Sequence, residues 1–192
     1  MRTLLGTFTA LTGLLTAAVL LGQDGKQPPH PTPTDEHGFL RQFEGEWKTS
    51  GKGMDMTGKE IDMAGVEYDR MVLGDFWLSF VYRSQINDKP YVGHGMIGYD
   101  PAKKKYIGTW VDSMSPYMSQ LEGQADPKTN TLTMEASGVD PMTEKPCKGR
   151  LVFQVQDPEH HTLQSFRMDD SAQGGNKKVF DLRYTKEQPH SK

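Results

Sequence analysis

His94, Trp110, Asp112 and Arg167 are the side chains of this sequence best suited to do chemistry. An imidazole beside a carboxylate can move a proton, and a guanidinium can hold an anion. A large indole beside the same groups supplies apolar area. Together they form the mixture a small-molecule cavity needs: mostly apolar wall, with a few polar groups that fix orientation. His94, Asp112 and Arg167 are equally the candidates for an enzyme, if they share one open site.

Three of the four lie in Tyr91–Asp112, a stretch that reads as two strands around a turn. Tyr91–Tyr99 and Lys105–Asp112 are rich in aromatic and β-branched residues, and Asp100-Pro101 followed by three lysines marks the break. If Asp100–Lys104 form the loop, Gly98 faces Tyr106, His94 faces Trp110 and Val92 faces Asp112. All then share one face with Met96. That places His94, Met96, Trp110 and Asp112 inward as ligand-binding residues, with Arg167 added from a later strand. The opposite face carries Ile97, Ile107, Thr109 and Val111, and a loop one residue longer or shorter would split His94 from Trp110.

Other chemistry is sparse. Gly93, Gly95 and Gly98 spell G-x-G-x-x-G, but Tyr99-Asp100-Pro101 follows where a dinucleotide fingerprint needs a helix. G-x-S-x-G, H-E-x-x-H, Cys-x-x-Cys and a phosphate loop are all missing. His160-His161 reads as a solvated hairpin tip beside Asp157-Pro158, since adjacent strand residues point to opposite faces. His30, His37 and His190 lie near the ends. Ten methionines follow the initiator, including Met54-x-Met56 and Met114-x-x-x-Met118. Thioethers can hold Cu(I), but scattered methionines more often fill cores or pockets. No cofactor and no metal site is expected. Cys147 is the sole cysteine, so no intrachain disulfide forms.

The elements that must position these residues begin after a leader. In residues 1–22, Arg2 precedes the uncharged run Leu4–Leu21, and polar Gln23-Asp24-Gly25-Lys26 follows. This reads as an export signal, so the protein is expected in the periplasm or secreted. An uncleaved leader is the one route to a membrane. Residues 23–33 form a linker in which Pro28, Pro29, Pro31 and Pro33 impose extended backbone. A domain over 34–186 follows, then a tail over 187–192. The chain of 192 residues has a formal net charge of −3, and no basic stripe interleaved with aromatics marks a nucleic-acid partner. Oligomeric state is not legible.

Within the domain, Thr34 or Asp35 caps a short helix with apolar Phe39, Leu40 and Phe43 at helical spacing. From Gly45 onward the period is two. Strands are expected near 45–52, 61–73, 76–86, 91–99, 105–112, 116–125, 131–137, 148–156, 161–168 and 177–185. Short hairpins between them predict an all-β fold, an antiparallel up-and-down barrel of about ten strands with a short N-terminal helix.

Phe43-Glu-Gly-Glu-Trp47, Val72-Leu-Gly-Asp-Phe76, Gly98-Tyr-Asp, Trp110-Val-Asp-Ser113 and a closing Arg183-Tyr184 recur in order over about residues 35–186. In them the chain resembles the bacterial family called domain of unknown function 1579. That resemblance implies a lipocalin-like, calycin-type barrel; it implies no activity and carries over no catalytic residue. Gly45-x-Trp47 is also similar to the G-x-W of lipocalins.

The expected function is binding of a small, largely apolar ligand inside the barrel. An enzyme built on the same barrel and a filled structural or interaction barrel are the alternatives. Trp47 is expected to be buried at the closed end, stacked under Arg183 of the last strand, because an indole is the best ring for a guanidinium.

Overall fold

The structure, a computed structural model, describes residues 30–55, 57–168 and 177–187. The leader, most of the linker, Met56, the Gly174-Gly175 turn, His190 and all but the first residue of the tail lie outside the described residues. The barrel unit, which begins at Thr32, is described by itself.

A short helix opens it. Helix α1 spans Asp35–Leu40 and tightens into a single 3-10 turn at Arg41–Phe43. The backbone N–H of Thr34 donates to His37 Nδ1 at 3.0 Å, which occupies an otherwise free donor at the helix entry. Ten strands follow: β1 Gly45–Met54, β2 Glu60–Val72, β3 Trp77–Ile86, β4 Lys89–Asp100 and β5 Lys105–Asp112, then β6 Ser115–Asp126, β7 Thr131–Val139, β8 Pro146–Asp157, β9 His160–Met168 and β10 Lys177–Lys186. Each pairs antiparallel with the next, and β1 pairs with β10 to close the sheet. Closure removes every free sheet edge.

Three turns share one construction. Asp100, Asp126 and Asp140 each precede a proline, and each Oδ1 accepts the N–H two residues on, at 2.9 Å. The fourth residue after each Asp is left-handed: Lys104 at φ 53, Asn130 at φ 50 and Glu144 at φ 54. The chain therefore turns in four residues, and each Asp pairs with the residue five further on. At Asn87-Asp88 two left-handed residues make a tighter hairpin, from which β4 restarts at Lys89.

Burial alternates along the strands, and the inward set of one end meets the helix. Phe39, Leu40 and Phe43 are buried among Leu78, Ile97, Tyr106, Leu132 and Met134. Burying such side chains contributes about 1.5–3 kcal/mol each. Two hydrogen bonds fix the plug: Tyr106 Oη donates to Glu36 O at 2.9 Å, and Trp47 Nε1 donates to Phe43 O at 2.8 Å.

The four-residue loop corrects the expected register of β4 and β5. Asp100 pairs with Lys105, so Gly98 faces Ile107, His94 faces Val111 and Trp110 faces Gly95. His94 and Met96 therefore lie on the outer face, while Trp110 and Asp112 point inward. Asp100 belongs to both turn and strand: its side chain makes the turn while its backbone stays in the ladder.

Trp47 is buried at the closed end, but Arg183 is not its partner. Arg183 is exposed on the outer face beside inward Leu182 and Tyr184. Lys186, paired directly with Trp47 across β1 and β10, carries the cation, with Nζ 5.1 Å from the ring centroid. The expected cation from the last strand is present, and strand parity moves it three residues on.

Candidate functional site

Beyond the helix plug the barrel interior is hollow. A cavity of about 230 Å3 lies between the strands on the far side of Glu67 from α1. Its wall is aromatic and aliphatic. Phe80 and Trp110 stack at 5.7 Å with their planes 20° apart, and Tyr82 meets Tyr91 edge to face at 6.0 Å. Leu151, Phe153, Leu163 and Phe180 complete the opposite side. Ala136, Ser119 and Ser165 are the small residues that leave the space open.

The glycines of β4 explain why two large rings fit. A side chain on Gly93 would run into the Trp110 ring, and one on Gly95 into the Phe80 ring. Both glycines face inward, so each indole or phenyl lies flat across a strand that has no side chain there. Gly98 faces outward, where an added Cβ would come within 2.6 Å of Trp77. The G-x-G-x-x-G spacing is thus a packing device on two faces of one strand.

The floor of the cavity is polar, and the sequence reading missed it. Glu67 is only 7% exposed, and its Oε2 accepts one long hydrogen bond, 3.4 Å, from Tyr184 Oη. Burial pushes its carboxyl up to about 8. Asp69, two residues along the same face, is also held well above the usual carboxylate range, first by burial and then by the neighbouring Glu67. Its Oδ1 and the Tyr82 hydroxyl have no hydrogen-bond partner among the described residues. Behind them His161 stacks on Tyr184 at 4.1 Å and meets the Trp47 ring edge to face at 4.4 Å. Burial, with help from Lys186, pushes His161 down to about 3, so the imidazole is neutral near pH 7. His160-His161 is therefore not a solvated pair. His160 is outside, bonded to Asp157, and His161 is core, as strand alternation requires.

The expected site residues divide between two surfaces and the rim. Trp110 lines the cavity. Asp112 sits one inward position nearer the mouth, where its Oδ2 accepts from Trp110 Nε1 at 3.2 Å and its Oδ1 accepts from Met114 N at 2.8 Å. Arg167 continues the inward set of His161, Leu163 and Ser165 to the rim, where it is largely exposed and ion-paired with Asp140. His94 is outside, with Nε2 3.0 Å from Ser79 Oγ. Met96 lines an outer groove with Lys103, Lys105 and Glu122. That groove is larger, about 840 Å3, but it is open and crossed by the Lys105–Glu122 ion pair. The three candidates for an enzyme thus share no site. Among the described residues no three of His, Cys, Asp and Glu come together as metal ligands.

The signal for Glu67 was present but faint. Gly65, Glu67 and Asp69 alternate with Val66, Tyr68 and Arg70, so neither face of β2 reads as apolar. Only closure of the barrel shows which one is inside.

A closed ten-stranded antiparallel sheet, plugged by a helix at one end and hollow behind it, defines the class as a lipocalin-like barrel. The chain belongs to the DUF1579 family, proteins of unknown function, whose pattern spans residues 32–186. No curated protein matches the sequence. Among solved structures the chain is similar to Rv2717c from M. tuberculosis, at 11% identity over 81% of this chain and 99% of that one, with a TM-score of 0.61. It is also similar to the S-type phycobiliprotein lyase CPES from Guillardia theta, at 11% identity over 83% and 100%, with a TM-score of 0.50. At such identities the likeness extends to the fold alone.

Proposed function

We propose that this is an exported barrel protein that binds a compact, largely apolar small molecule in the cavity behind the helix. The observation that carries the reading is the cavity of about 230 Å3 inside the barrel, walled by Phe80, Trp110 and Phe153 and floored by Glu67. A filled structural barrel would leave no such space, because protein interiors close to near-crystal density. An apolar cavity of roughly 150 Å3 takes up benzene, so this one has room for about ten non-hydrogen atoms. Similarity to a barrel whose name is that of a phycobiliprotein lyase is compatible with small-molecule handling by this fold. The leader over residues 1–22 supports export.

Two measurements test it. Mass spectrometry of the protein purified from its native host should find a low-mass compound and a mature N-terminus near residue 23. In solution, butylbenzene should bind saturably, read by calorimetry. Trp110→Ala should weaken that binding by about tenfold or more, a change of about 1.4 kcal/mol, while Lys104→Ala at the turn leaves it within about twofold. No saturable binding, or equal effects of the two substitutions, would remove the case for the cavity.

A further inference from the structure

The cavity floor holds more hydrogen-bonding capacity than the barrel itself uses. Glu67 makes one long bond, to Tyr184. The Tyr82 hydroxyl on the neighbouring strand is buried without a partner among the described residues, and so is Asp69 Oδ1 behind Glu67 on its helix side. Tyr82 is 4% exposed, and both it and Glu67 line the cavity. Buried polar atoms are normally paired, and leaving them unpaired is costly. These atoms can all accept a hydrogen bond: a carboxylate has four lone-pair sites and a phenol oxygen has two.

The ionisable groups of the same space are all acidic. Glu67 stands at the floor and Asp112 near the rim, while no lysine, arginine or histidine lines the cavity among the described residues. Arg167 at the rim is engaged by Asp140. The rings of Phe80, Tyr82, Trp110 and Phe180 line the same space. Aromatic faces carry a negative quadrupole and attract cations, more strongly when water is excluded. An aromatic cage with a carboxyl at its base has the chemistry of an ammonium receptor.

We propose that the ligand carries a protonated amine, which docks on Glu67 and Tyr82 at the floor while its hydrocarbon body lies along the Phe80–Trp110 wall. This rests on the cavity reading above. It names the ligand class: a primary or secondary amine on a compact apolar body. Such an amine keeps N–H donors for the floor, whereas a quaternary ammonium would leave the floor acceptors unpaired.

The proposal has a proton signature. The groups around Glu67 are Asp69 on its own strand, Tyr82 on β3, Tyr91 on β4, Asp112 on β5, His161 on β9 and Tyr184 on β10, with Lys186 behind His161. His161 stays neutral over the relevant range, and burial holds the hydroxyls of Tyr91 and Tyr184 above theirs. In the free barrel the Glu67 carboxyl is protonated at pH 7, because burial holds it at about 8. An ammonium beside it favours the carboxylate, so binding releases a proton. Amine affinity therefore rises with pH, by up to about tenfold per unit, and levels off above about pH 8.

Calorimetry on the mature chain with three probes of one body tests this: phenylpropylamine, butylbenzene and phenylpropionate. Phenylpropylamine should bind at least about tenfold tighter than butylbenzene, and phenylpropionate weaker than both. Amine binding in two buffers of different ionisation enthalpy should show about one proton released. Glu67→Gln, which keeps the shape and removes the charge, should reduce the amine-over-butylbenzene preference by at least about tenfold. If butylbenzene binds and the amine binds no tighter, or if phenylpropionate binds tightest, the ammonium proposal is overturned while the cavity reading stands. Binding by none of the three overturns both. The comparison of probes on the unmodified protein decides the matter even if the Gln variant does not fold.

Discussion

The two ends of the barrel interior are built from the same alternating strands, yet one is packed and the other is open. At the helix end Phe39, Leu40 and Phe43 enter between the strands and leave a void of only about 10 Å3. Past Glu67, where no element enters, about 230 Å3 remains. Polar groups do not divide so cleanly, since Asp69 Oδ1 and His161 Nδ1, on the helix side of Glu67, have no partner among the described residues. At the plugged end Trp47 Nε1 and Tyr106 Oη each reach a backbone carbonyl of the helix segment. In the hollow half the Tyr82 hydroxyl has no partner among the described residues. A ten-stranded barrel is too wide for its own inward side chains to fill, so it needs an added element wherever it is to be solid. The half that lacks one is where a ligand can complete the packing.

The largest effect that would break this contrast lies in the plug. Leu40 is fully buried, so Leu40→Ala should cost about 3 kcal/mol in urea unfolding, the range for a core leucine that leaves a cavity. A loss under about 1 kcal/mol would mean that the helix covers the barrel end without packing into it.

A second test sits on the boundary between the halves. The Glu67 carboxyl lies at about 8 in the fold against an ordinary 4.5. Between those values the unfolded chain has lost a proton that the native barrel still holds. Its contribution is thus fully present below about pH 4.5 and is lost as pH rises to about 8. Thermal or urea stability should fall by about 1.4 kcal/mol per pH unit for that one proton, and Asp69 acts in the same direction. Glu67→Gln should flatten this limb. A stability profile that is already flat from pH 6 to pH 8 would place Glu67 in contact with bulk water and enlarge the open half at the expense of the closed one.

The smallest expected effect separates two cations of β10. Lys186→Met removes the charge over the Trp47 ring and should cost about 0.5–1 kcal/mol, the range for a partly exposed cation–π pair. Arg183→Met, on the outer face, should stay within about 0.5 kcal/mol. If Arg183 proves the more costly of the two, the assignment of inner and outer faces at the closed end is wrong.

Strand positions were legible because hydrophobic alternation and Asp-Pro breaks are local signals. The face of His94 was not, because it hinged on whether Asp100 belonged to loop or ladder. A repeated rule, Asp-Pro followed by three residues and a return, is written at Asp100, Asp126 and Asp140. Of the three left-handed residues that close these turns, only Asn130 is of a type that favours that conformation; Lys104 and Glu144 adopt it without announcing it.

By itself, then, the sequence determined the order of elements: a helix, then ten strands at period two, then the small residues and rings of β4 and β5. These depend on contacts between near neighbours, which a linear pattern records. Only the tertiary structure decided that Lys186 rather than Arg183 meets Trp47, that His161 is core, and that Glu67 lies under an aromatic cavity with Asp69 behind it on the helix side. Those facts depend on register between strands far apart in sequence and on the curvature that closes β1 onto β10. A one-residue slip in either reverses inside and outside without altering a single local preference.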